Sequence, residues 1–92
     1  MTAGIRLDRL KPGQACYVLK IEGDLEIMQR LEELGVVRGT RIVCHMISSL
    51  GDPIAYGIRG AVIALRKKDA HGILVAPEDE TVDGVPEGSR PI

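Results

Sequence analysis

The chain has 92 residues, which suits one domain with a small core, because a chain of this size buries only roughly 60 to 65% of the surface its unfolded form exposes. Phe and Trp are absent and only Tyr17 and Tyr56 are aromatic; this leaves Ile, Leu, Val and Ala to fill the interior and argues against base-stacking or proline-peptide sites, which use several exposed rings. The net charge of −1 hides an asymmetry: residues 1–76 carry eleven Lys/Arg and eight Asp/Glu (net +3), whereas residues 77–92 carry Arg90 against Glu78, Asp79, Glu80, Asp83 and Glu87 (net −4), so nothing resembles the concentrated basic patch of a nucleic-acid binder.

In chain order, Leu7 and Leu10 lead into the turn signal Lys11-Pro12-Gly13, after which Ala15, Tyr17, Leu19 and Ile21 alternate with Cys16, Val18 and Lys20 as a first strand. Asp24 can cap a helix over residues 25–34, since its carboxylate accepts from the unpaired N–H groups of a first turn. Ile27, Leu31 and Leu34 share one face of that helix, and Met28 widens the stripe. Gly35 ends it, with Val36 placed to touch Leu31 as in a Schellman closure. Beyond a turn at Arg38-Gly39, Ile42, Cys44 and Met46 alternate with Val43, His45 and Ile47 in a second strand. Leu50-Gly51-Asp52-Pro53 makes a sharp turn into a hairpin in which Ile54, Tyr56 and Ile58 alternate, Arg59-Gly60 turns, and Ala61, Ile63 and Leu65 alternate again. Residues 67–72 read as one helical turn and Ile73-Leu74-Val75 as a closing strand. Five short strands and one inserted helix point to a small barrel, because closure removes exposed strand edges; periodicity alone leaves SH3-like and OB-like barrels open.

The body is therefore expected over residues 1–76. Residues 77–92, rich in Pro, Gly and acids, bury too little apolar surface to offset the entropy of ordering and are expected to form a flexible acidic tail. Residues 1–10 hold no long apolar run, so neither a signal peptide nor a membrane insertion is expected, and the cysteines should be reduced in a cytoplasmic setting.

The chemistry of an enzyme is missing. No nucleophile-base pair, paired acids or phosphate loop of the form G-x-x-x-x-G-K-S/T occurs. Cys44 and His45 are adjacent on a strand and face opposite ways, so Cys16, Cys44, His45 and His71 do not converge easily on a metal. No catalytic residue, cofactor or metal site is expected.

The ordered pattern Leu34-Gly35, Gly39-Thr40, Leu50-Gly51-Asp52-Pro53-Ile54, Arg59-Gly60 and Ala64-Leu65-Arg66 resembles the FeoA family of small cytosolic proteins associated with ferrous iron transport. The likeness runs over residues 7–75; Ser48-Ser49 stands where many members carry a proline, and Val37-Arg38-Gly39 replaces a common Pro-Gly. It implies an SH3-like barrel and a partner, the cytosolic region of a FeoB-type GTPase-coupled membrane transporter. FeoA-like barrels also form C-terminal domains of metal-dependent repressors, so a stand-alone regulatory interaction module is the alternative, although no helix-turn-helix region precedes the barrel here. Gly13, Gly35, Gly39 and Gly60 are read as structural turns. Leu50, Gly51, Asp52 and Pro53, with Arg59 or Arg66 for charge, are the candidate partner-binding residues, because rigid barrels present binding groups on loops; the plainer reading of the same residues is backbone geometry and packing. Met28, Leu31 and Leu34 are a second candidate surface, weighed against a core role.

Overall fold

The computed structural model describes residues 4–78; the expected tail lies outside the described residues apart from Pro77 and Glu78. Six strands form one antiparallel sheet: β1 (Ile5–Arg6), β2 (Ala15–Ile21), β3 (Arg41–Ile47), β4 (Ile54–Ile58), β5 (Ala61–Leu65) and β6 (Ile73–Pro77), in the spatial order β1-β6-β2-β3-β4-β5. The count is one above the five read from periodicity. The extra strand is β1, whose two residues pair with β6 through Ile5 opposite Val75 and Arg6 opposite Leu74; two residues have no period to read.

Helix α1 (Leu25–Glu33) begins where expected, with the Asp24 carboxylate accepting from the Ile27 N–H at 2.9 Å. Its end follows from Gly35, whose φ of 92° lets its own N–H reach the Glu32 carbonyl and the Val36 N–H reach that of Leu31, both at 2.9 Å, the paired bonds of a Schellman motif. Leu31 is buried, and Ile27 and Leu34 pack against the core. A second short helix, α2 (Lys67–His71), links β5 to β6.

Leu7, Leu10, Cys16, Val18, Ile42, Cys44, Ile54, Tyr56, Ile58, Ile73 and Val75 make the centre of the core, each no more than 2% exposed. The alternation that fills it is interrupted twice. The β2–β6 register slips at Leu19 and the β3–β4 register at His45, each slip being the extra residue of a β-bulge, which reverses the facing of the residues beyond it. Met46 therefore faces solvent at 63% exposure instead of joining Cys44 inside. The sheet also reaches past Ala76: Cys16 pairs with Pro77, and the Glu78 N–H donates to the Ala15 carbonyl at 2.8 Å.

Candidate functional site

The residues singled out in the sequence divide between three places. At the tip of the β3–β4 connection, Leu50 is 92% exposed, and the turn beneath it is held by the Gly51 N–H on the Ser48 carbonyl at 2.7 Å. Asp52 is engaged within the fold: its Oδ1 accepts from the Lys67 N–H at 2.8 Å, which fixes the loop to the start of α2. Because α2 has no cap of its own from Arg66, Asp52→Ala should lower stability by about 0.5 to 2 kcal/mol, the usual worth of a helix N-cap. A urea titration checks this, and an unchanged midpoint would show that the bond is idle.

Pro53 and Arg66 meet in a groove of 220 Å³ beside the loop, walled by Ile27 and Leu31 of α1, by Leu34 just past its end and by Leu65. Leu31 is in the core, while Ile27 and Leu34 are only partly buried against it and border the groove. Met28, 39% exposed, lies outside the set that lines it.

Arg59 is elsewhere. It and Gly60 form the two-residue turn of the β4–β5 hairpin with φ of 50° and 84°, the left-handed pair that suits a type I′ turn. Its side chain lies over Gly35, where any Cβ would collide with it; the Leu34-Gly35 and Arg59-Gly60 pairs of the sequence pattern are therefore one contact. Gly13 and Gly39 are also turn residues, with φ of 92° and 90°.

Arg59 and Arg41 stand over a second, wider groove of 590 Å³ on the outer face of β3, β4 and β5, floored by Val43, Gly57 and Val62 and lined also by His45. Arg41 is held by a two-pronged pair with Glu78, Nη2 to Oε1 at 2.9 Å and Nε to Oε2 at 3.2 Å, and the Tyr17 hydroxyl donates to the same Oε2 at 2.9 Å. That hydrogen bond from Arg41 to Glu78 raises the Arg41 pKa. Sequence reasoning passed over this arrangement, since Arg41 and Glu78 are 37 residues apart and nothing local joins them.

Burial pushes the Cys16 thiol up to about 12 and raises Cys44 as well; thiols held neutral in this way are weak nucleophiles and ligands. The His71 Nδ1 lies 3.2 Å from Asp8 Oδ1 at the surface, and the His45 ring lies across Gly57. Among the described residues, no three His, Cys, Asp or Glu side chains are grouped to hold a metal ion, and no helix is long and apolar enough to cross a membrane.

Six antiparallel strands, a capping helix and two grooves on different faces define a small SH3-like barrel that presents surfaces around a closed core. Residues 5–77 match the FeoA domain model, and the chain belongs to the FeoA family. It is 32% identical over 71 residues to the Fe(2+) transport protein A/Fe(2+) transporter FeoB fusion protein of Porphyromonas gingivalis; the match takes in 77% of this chain and 8% of that much longer relative. The NMR structure of a FeoA-like protein from Clostridium acetobutylicum superposes with a TM-score of 0.75 at 36% identity, over 82% of this chain and 87% of the other. A manganese-dependent transcriptional repressor gives a TM-score of 0.75 at 18% identity, over 83% of this chain and 42% of its own. At that identity the likeness concerns the fold alone.

Proposed function

We propose that this protein is a non-enzymatic, cytoplasmic accessory of ferrous iron uptake that binds the cytosolic region of a FeoB-type transporter. The observation that carries this reading is the Porphyromonas gingivalis relative, whose name joins transport protein A and FeoB in one polypeptide. Fusion holds two modules at high effective concentration, an arrangement that favours a weak association without new contacts.

The surface we assign to it is the tip of loop 50–53 together with the adjoining groove. Leu50 is the most exposed large apolar side chain described, at 92%, and the groove next to it offers Ile27, Leu34, Pro53 and Leu65 with Arg30, Arg66 and Asp69 at its edges, an apolar centre with a charged rim. Leu50→Ala should weaken binding to the cytosolic region of the matching transporter by about five- to thirtyfold, the equivalent of about 1 to 2 kcal/mol for a modest anchor. The urea midpoint should stay in place, since an exposed side chain adds little to the fold. Titrations by calorimetry in GDP and in a GTP analogue measure both the affinity and any nucleotide preference. Unchanged affinity in the folded variant would remove the loop from the interface, and no binding by the unaltered chain in either nucleotide would remove the partner.

A further inference from the structure

The wide groove over β3, β4 and β5 takes no part in the proposed transporter contact, and its chemistry is one-sided. Arg41, Arg59 and His45 line it, with no Asp or Glu among the described residues of its lining, and its floor is apolar at Val43 and Val62. Val62 is 69% exposed. β5 is the outermost strand on that side of the sheet, so beyond Val62 the groove borders an open edge.

The segment after Glu78 in sequence has the complementary composition. Residues 79–92 hold Asp79, Glu80, Asp83 and Glu87 against the single Arg90, with Val82 and Val85 between the acids. The residue that precedes it, Glu78, stands beside the groove, paired with Arg41 of the lining. Glu78 is hydrogen-bonded to Ala15, Ala15 pairs with Val43, Val43 with Gly57 and Gly57 with Val62, so Glu78, the last described residue, stands in the same cross-strand row as the groove floor. Adjacent strands are about 4.8 Å apart, which puts Val43 about 10 Å and Val62 about 19 Å from Glu78. A chain that advances up to about 3.3 Å per residue covers those distances in roughly three and six residues, well within the span of residues 79–92. The first carboxylate of the acidic run is already in place, since Glu78 clasps Arg41 and Tyr17 at the rim.

We infer that the acidic segment 79–92 binds in cis across this groove, its carboxylates on Arg59, His45 and the open side of Arg41 and its valines against Val43 and Val62. The groove is then a self-occupied surface, and any acidic or extended partner that uses it must first displace the protein's own C-terminal segment. The attraction is between exposed charges and is therefore screened by salt. This inference does not depend on the transporter reading, and its test uses no transporter.

The test uses the full-length chain carrying a nitroxide through Ser89→Cys; Cys16 and Cys44, both 0% exposed, are shielded from the label. In a ¹⁵N-labelled sample the amides of Val43, His45, Gly57 and Val62 should lose signal through paramagnetic broadening, while those of Ile27 and Leu34 on the other groove should not. The loss should disappear in high salt and in the full-length variant Asp79→Asn/Glu80→Gln/Asp83→Asn/Glu87→Gln. A second sample mixes ¹⁵N chains without the label with labelled ¹⁴N chains, and should show no such loss. Broadening spread evenly over the surface, broadening that survives neutralisation of the four acids, or broadening of the groove only in the mixed sample, which would mean docking on a second copy, would each overturn the inference.

Discussion

Tyr56→Ala should bring the barrel close to unfolding. The side chain sits in the middle of β4, opposite Cys44 of β3 and Ile63 of β5, and is 0% exposed. In a chain without Phe or Trp it is the largest side chain in the core, since Tyr17 is 40% exposed. Truncating a buried aromatic removes its transfer free energy and leaves a cavity, about 3 to 5 kcal/mol together, against a total stability of about 5 to 15 kcal/mol for ordinary domains. A barrel this small stands toward the lower end of that range. Tyr56→Phe separates ring from hydroxyl. The hydroxyl donates to the Leu7 carbonyl at 3.3 Å, but that carbonyl also accepts from the Leu10 N–H at 3.0 Å, so its loss orphans nothing and should cost about 0.5 to 1.5 kcal/mol. Urea midpoints for the two variants should differ accordingly. If alanine costs less than about 1 kcal/mol, the neighbouring Ile and Leu side chains have collapsed into the space and the core is softer than its close packing implies.

Local chemistry decided what could be read from the sequence. Asp24, the helical stripe and Gly35 fix α1 within a few residues of one another, and the Arg59-Gly60 turn fixes the register of β4 on β5, so both elements stood out by period and punctuation. The residues that escaped are those decided by distant partners. β1 exists because Ile5 finds Val75, and Met46 turns outward because a bulge at His45 is needed to lay β3 on β4. The candidate site divides along the same line. That Leu50 is exposed follows from its turn. That Asp52 caps a helix fifteen residues away depends on how the β5–α2 corner folds back, and no spacing rule contains it. Arg59 and Arg66, taken as interchangeable sources of charge, flank the five residues of β5, and a strand of that length holds its ends about 17 Å apart; each consequently belongs to a different groove. This separation was already implicit in the hairpin.

Gly72→Ala should be the costliest of the glycine substitutions at ordinary backbone angles. Gly72 closes α2 with φ −82° and ψ 0°, angles open to alanine, so any loss must come from space. Its carbonyl accepts from the Glu22 N–H at 2.7 Å, tying the end of β2 to the end of α2. A Cβ there would lie 2.5 Å from the Glu22 carbonyl oxygen, a backbone atom that cannot swing aside. Relief requires moving the β2–β6 junction at Ile21 opposite Ile73, with Ile73 fully buried, and overpacking of this kind costs about 1 to 3 kcal/mol. Gly57 provides the contrast. A Cβ at that position would also collide, but with the ring of His45, an exposed side chain that can rotate into solvent, and alanine is the better strand residue. Gly57→Ala should therefore change stability by less than about 0.5 kcal/mol, within the range of ordinary surface substitutions. Urea titration of the pair isolates the nature of the obstacle, because neither glycine has a positive φ to confuse the comparison. Equal losses would mean that the end of β2 yields as readily as a surface imidazole, and that the corner joining α2 to the sheet is loosely held.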